Sequence, residues 1–351
     1  PPHADHETAP PLWLQARSMP KDYPVALTSR PWAGMGSEEW AQRVDTTWGE
    51  GQSTADKLAV FDTFWGTIDR EFPCFQDLDV DWERLRWRYR PEIEDGVSKG
   101  RFAAIMSRLA LALMEAHTIA WDRDVAFRTP LEPGVPLLMV GGWGYDSHFG
   151  ACLTPLPDRS LLVYQTAPHH PLGLAPGDVV LGFDDRPWHE LYPELLEYGL
   201  PLSGFWGSSE ESHEHTWLTA AGMNWHLFET IDIRKYATGE VEHLPTALLE
   251  GWDPPQAETP WCSEQLDVDG VPKPDYDAEQ LVTWGIIEGT RIGYIYGWGW
   301  IWDAEQEFYD AVYQLMMQHE TQGVIIDFRF NIGGNMFLSN RGLELLFDRP
   351  V

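Results

Sequence analysis

Near its C-terminal end the sequence reads Val324-Ile325-Ile326-Asp327-Phe328-Arg329-Phe330-Asn331-Ile332-Gly333-Gly334. A continuous apolar run, of the kind that forms a strand buried on both faces of a parallel sheet, leads into polar residues and then two glycines. Leu338, Leu345 and Leu346 follow in a helical pattern. Open α/β sheets bind ligands at the carboxyl ends of their strands, where a helix N-terminus presents unpaired N–H groups to a negative atom. Such a site suits a phosphate or the oxyanion of an acyl-transfer intermediate. An ordinary strand-to-helix turn, with Asp327 and Arg329 paired, would use the same residues.

The other candidates are weaker. His117 is placed to act as an acid/base group or, equally, to serve a helix end. His3, His6, His169-His170 and His213-Glu214-His215 lack the H-E-x-x-H spacing that sets two ligands on one helix face, so no metal site is expected. Asp267-Val268-Asp269-Gly270, with Asp275 and Asp277 nearby, lacks the third acid and closing Glu of a calcium loop. Trp298, Trp300 and Trp302 alternate, so in extended chain they share one face, as a hydrophobic subsite for substrate or as core. Cys74, Cys152 and Cys262 contain no C-x-x-C pair; one disulfide plus a free thiol would fit an exported protein.

Several elements must position these groups. Residues 1–52, rich in Pro, Gly and Trp, read as an irregular arm. Ser53 caps a helix carrying Leu58, Phe61, Trp65, Ile68 and Phe72 until Pro73. Asp81 caps a second helix, ended by Pro91, and a third starts near Ser98 and runs past Leu113, giving a helical domain over 53–128. A β-rich module spans 136–250, with strands at Ser160–Tyr164, Val179–Phe183 and Ile231–Ile233 and a polar insertion at 203–216. Residues 251–280, with five prolines and many acids, read as a linker. In 281–351 a strand at Arg291–Tyr296, a helix at Ala304–His319 and the strand at Val324–Ile326 make a βαβ unit. The fold class is α+β multidomain.

Composition narrows the partners. The 351 residues carry 24 Lys+Arg against 55 Asp+Glu, a net charge of −31. Nucleic acid and anionic membrane surfaces are disfavoured, because phosphate binding needs a positive field. No apolar run approaches a membrane span. The chain opens at Pro1 without a signal-peptide core, so a mature or trimmed chain is expected.

The motif Asp327-Phe328-Arg329-Phe330-Asn331-Ile332-Gly333-Gly334 resembles the D-x-R-x-N-x-G-G signature of the tail-specific (C-terminal processing) serine peptidases, which include the tricorn core. Gly173-Leu174-Ala175-Pro176-Gly177-Asp178-Val179-Val180-Leu181-Gly182-Phe183-Asp184-Asp185-Arg186-Pro187 is similar to the G-L-x-x-G-D stretch of that family's PDZ-like module, with Asp185 where Gly is usual. Leu113-Met114-Glu115-Ala116-His117-Thr118 is similar to its L-x-D-G-H-T, with Glu for Asp and Ala for Gly. The resemblance spans about residues 55 to 351.

It implies a helical domain, a PDZ-like β module and the first part of an α/β peptidase core (βαβ, ClpP/crotonase-like). It also implies a peptide or protein substrate, serine-type acyl transfer without a cofactor, and an exported (periplasmic or extracellular) setting. Gly333 and Gly334 would supply oxyanion-hole amides, held in shape by Asp327, Arg329 and Asn331. The loop His148-Phe149-Gly150-Ala151 would take a peptide's terminal carboxylate. The family's nucleophile lies in a T/S-S-A-x-E context downstream of the diglycine. Of the 17 residues after Gly334 only Ser339 is a serine, outside that context and without an assignable base. The nucleophile is therefore expected beyond Val351, the alternative being an inactive remnant. A non-catalytic peptide binder using the PDZ-like groove and a Trp-rich carbohydrate binder are the rival readings; the oligomeric state is left open.

Overall fold

The computed structural model describes residues 35–75, 78–126, 132–141, 149–252, 258–260, 262, 267–276, 278–329 and 331–347. His3, His6, His148 and Asp277 lie outside them. The chain divides into two compact units, 1–260 and 261–351. No helix among the described residues is long and apolar enough to cross a membrane.

The first unit opens with helices α1 (Ser37–Trp48), α2 (Thr54–Glu71), α3 (Trp82–Asp95), α4 (Lys99–Leu111) and the single turn α5 (Arg123–Ala126). Helix α1 corrects the expectation of an irregular arm for its part of residues 1–52: Trp40 and Val44, four apart, are both buried. The expected caps form: Ser53 Oγ accepts from Asp56 N and Asp81 from Arg84 N, and Ser98, near the expected start of the third helix, likewise accepts from Arg101 N, each meeting one orphan donor of a first turn. Pro91, expected to end α3, lies inside it; the helix continues to Gly96, where φ is +102°. Proline removes one helical hydrogen bond, and burial of Tyr89 and Ile93 on either side of it outweighs that loss. Helix α4 stops at Leu111, short of Leu113, and Met114 takes φ +45°.

Helices α2 and α3 are joined by a reciprocal pair. Trp65 Nε1 donates to Trp82 O (3.1 Å), Trp82 Nε1 donates to Trp65 O (3.3 Å), and the rings stack 6.2 Å apart. Each indole N–H would otherwise be buried without a partner.

The β part has short β1 (Leu138–Met139) and then β2 (Ala151–Pro155), β3 (Leu161–Thr166), β4 (Val179–Phe183) and β5 (Arg186–Pro187). Helix α6 (Trp188–Glu197), β6 (Leu202–Ser203), α7 (Glu210–Thr219), a tight helical turn (Ala221–Leu227), β7 (Thr230–Arg234) and β8 (Val241–Pro245) follow. The main sheet is six-stranded and antiparallel, in the order β2-β3-β4-β7-β8, with β5 hairpinned onto β4. The stretch 203–216, expected as a polar insertion, contributes buried Ser203 and Trp206 and most of helix α7. Asp178, buried beneath the β3–β4 turn, accepts from Ala175 N, Tyr236 N and the Lys235 ammonium. Burial raises its pKa, but those donors bring it below the ordinary carboxylate range. Cys152 and Cys262 are disulfide-bonded, and Cys74 is a free, exposed thiol.

The second unit contains β9 (Val282–Ile286), β10 (Ile292–Gly297), α8 (Ala304–Tyr313) with a π-helical extension (Gln314–Gln318), β11 (Gly323–Asp327) and α9 (Met336–Glu344). Strands β10 and β11 run parallel and are joined through α8, as the βαβ reading expects; β9 pairs antiparallel on the other side of β10. Helix α8 buries Phe308, Ala311 and Val312, which pack with Ile295 and Trp300. One expectation fails here. Strand β11 is not buried on both faces: among the described residues it is the sheet edge, and Ile325 is 46% exposed.

Candidate functional site

The D-x-R-x-N-x-G-G residues form one hydrogen-bonded assembly in the second unit. Asp327 ends β11 opposite Tyr296 of β10. Its carboxylate accepts from Arg329 N (3.0 Å), Arg329 Nε (2.9 Å), Arg329 Nη2 (2.6 Å) and Tyr294 Oη (2.6 Å). The Arg329 guanidinium, together with the tyrosine hydroxyl and against the cost of burial, lowers the Asp327 pKa to about 2. Burial and the neighbouring Asp327 push the Tyr294 phenol up to about 12, and Arg329 is held more firmly charged by Asp327. Asp327 is thus a fixed anion that locks the following turn and cannot exchange protons near neutral pH.

Parallel pairing continues beyond the strands. Ile332 N donates to Trp298 O (2.7 Å), Trp300 N to Gly333 O (2.8 Å) and Asn335 N to Trp300 O (2.8 Å). Asn331 staples the start of this rail, donating from Nδ2 to Gly297 O and accepting from Gly333 N at Oδ1, both at 2.9 Å. At Gly334 φ is +128°, and a Cβ there would lie 2.5 Å from Trp300 O, so only glycine fits. Asn335 caps α9, its Oδ1 accepting from Phe337 N (2.9 Å).

This geometry separates the two glycines. The Gly333 amide is engaged by Asn331, which corrects its expected role as an oxyanion donor: a side-chain acceptor two residues upstream takes it first. The Gly334 amide has no hydrogen-bond partner among the described residues and sits two residues before the first residue of α9, where the helix end favours negative charge. The assembly supplies one preorganised donor beside a helix N-terminus. Ser339, inside α9, donates from Oγ to Met336 O (2.8 Å), with no base among its partners.

The remaining candidates lie elsewhere. His117 follows α4 in the first unit with its side chain 92% exposed; its Nδ1 lies 2.8 Å from Glu115 Oε1. Phe149 is core, packed edge-to-face on His170, whose Nε2 bonds Phe149 O at 3.0 Å. Gly150 has φ +77° with Trp252 closing over it, its carbonyl accepts from Ala167 N (2.7 Å), and Ala151 pairs with Thr166. The tryptophans do not share a face. Trp298 packs with Tyr294 and Tyr296, whereas Trp300 is buried against Phe308 and Phe328, and Trp302 turns back at φ +51°. Alternation lapses at Gly299, after β10 has ended, so Trp300 is core.

Sequence reasoning missed Tyr294; its alternation with Tyr296 was the available signal, since both then face the side of β10 on which Asp327 lies. It also missed Asp185, Asp232 and His243, which among the described residues form a group able to hold a metal ion. Asp185 in a glycine position was the signal.

Residues 53–110, which comprise α2, α3 and most of α4, match the tricorn protease C1 domain. The match is independent of the Asp327–Gly334 motif and supports a relation to the tail-specific peptidases. No curated protein matches the chain. Among solved structures, the photosystem II D1 C-terminal processing protease aligns over 84% of this chain at 16% identity with a TM-score of 0.31. The chain spans 65% of that protein, less than two thirds of its length.

Proposed function

We propose that this chain belongs to a serine-type peptidase of the tail-specific class, which captures an extended peptide and cleaves it by acyl transfer. The carrying observation is the diglycine rail: Asp327, Arg329, Tyr294 and Asn331 fix it, and the Gly334 amide is left free beside a helix N-terminus. Donors aimed before charge develops stabilise an incipient oxyanion without reorganisation. The nucleophile is assigned to sequence following Val351, in the T/S-S-A-x-E context that the resemblance implies, and its base and a second oxyanion donor are left unassigned. The match of residues 53–110 supports the same reading.

In the β module the peptide would add alongside β2, the outermost strand of the main sheet among the described residues, beside α7, in the manner of a PDZ-like groove. The loop Phe149-Gly150-Ala151, which leads into β2, would accept the peptide's terminal carboxylate. The disulfide supports an exported setting. The engaged Gly333 amide favours one rival, a non-catalytic peptide binder.

A fluorophosphonate probe applied to the protein with its natural C-terminal sequence distinguishes the two. Serine labelling, competed by peptides with a free α-carboxylate, is expected. Peptide binding without labelling would replace the peptidase reading with the binder.

A further inference from the structure

The two-residue turn between β4 and β5 is Asp184-Asp185, both left-handed at φ +49° and +63°. Asp184 has a structural task, its carboxylate accepting from Glu229 N, Thr230 N and Thr230 Oγ1. Asp185 has none of that kind. Its carboxylate faces Asp232 of β7 and His243 of β8, which are paired across the two strands.

His243 Nδ1 lies 2.7 Å from Asp232 Oδ1 and 3.2 Å from Asp185 Oδ1, and Asp185 N donates to Asp232 Oδ2 at 2.9 Å. One ligand atom from each of the three residues lies within 4.8 Å of the others. Ligands of a tetrahedral cation with bonds of roughly 2.0–2.1 Å are about 3.3 Å apart, so the two imidazole contacts need widen by only about 0.6 and 0.1 Å. The charges point the same way. Asp232 is 4% exposed, and among the described residues no Lys or Arg pairs with it or with Asp185. A buried carboxylate beside a second one, balanced only by an imidazole, lacks a permanent counter-charge.

We propose that Asp185, Asp232 and His243 bind a divalent transition-metal ion of the zinc type. Two carboxylates and a neutral imidazole cancel its charge, and the exposed side of Asp185 leaves a position for water. The ion would pin the β4–β5 turn to the β7–β8 hairpin. Nothing in this assignment depends on the peptidase reading.

The test titrates the chelator-stripped chain with Co²⁺ and Zn²⁺ at pH 7.5 in excess Mg²⁺, which occupies indiscriminate acidic sites. One tetrahedral Co²⁺ per chain, read from its visible absorption and displaced by Zn²⁺, is expected. Asp185→Gly suits the turn's backbone and should keep the fold while weakening binding at least ~10-fold; His243→Ala should do the same. Equal affinity in the wild type and Asp185→Gly, or no stoichiometric Co²⁺ spectrum, would overturn the assignment and leave only adventitious binding by the other histidines and acids.

Discussion

Replacing Asp327 by Asn removes the charge that organises the diglycine rail while keeping an acceptor for Tyr294. A carboxyl moved from an ordinary 3.8 to about 2 holds roughly 2 kcal/mol of folding free energy at neutral pH, at ~1.4 kcal/mol per tenfold change in proton affinity. Arg329 is 42% exposed, so solvent screening trims its share and makes that figure an upper one. The folded pKa is depressed, so the contribution is complete above the unfolded value and is lost as pH falls through the folded one. About half should remain at pH 3 and little at pH 2. Urea unfolding, read by pulsed hydrogen exchange over residues 290–338, measures it locally. Asp327→Asn should be less stable than wild type by about 2 kcal/mol at pH 7, and the gap should close on acidification. A gap below ~0.5 kcal/mol at pH 7, or one unchanged down to pH 2, would refute the assignment of Asp327 as the organising anion.

Two further outcomes follow from the same coordinates. Gly334→Ala meets both a left-handed φ and the Trp300 carbonyl and should cost about 3 kcal/mol or more; Gly333→Ala, with φ +90° and no heavy atom within 4 Å of a Cβ, should cost about 1–2 kcal/mol. Exchange over the same peptides checks the order. Trp65→Phe keeps a ring but removes the indole N–H bond to the Trp82 carbonyl, and should lower stability by about 1 kcal/mol in thermal melts. Trp87→Phe, at a largely exposed indole, should change it by under ~0.5 kcal/mol.

What the sequence made legible was local. Ser53, Asp81 and Ser98 announce helix starts because each cap bonds an amide three residues on, and Val179–Phe183 announces a strand by its composition. The order β10–α8–β11 was equally readable. What escaped depends on distant partners. Pro91 breaks one bond, but flanking burial decides whether the helix survives. Apolar residues in β11 say nothing about which faces are covered. Tryptophan spacing holds only while the backbone stays in phase, and Gly299 ends that. At the candidate site the motif disclosed the residues but not the allocation of amides, since Asn331 could have bonded several groups and takes Gly333. The meeting of Asp185, Asp232 and His243 needs three strands in register, which no local pattern contains.

The outer ladder of β11 also bears on how chains of this kind behave in concentrated solution. Among the described residues its outer amides and carbonyls, next to Ile325, have no strand partner, and there a like strand could zip on. At neutral pH the charge of −31 sets a strong mutual repulsion against that encounter. Near the isoelectric point of about 4.5 the repulsion vanishes, and concentrated salt shortens its reach. The acidity that tells nothing about catalysis thus acts as a colloidal safeguard for that strand wherever it is left uncovered.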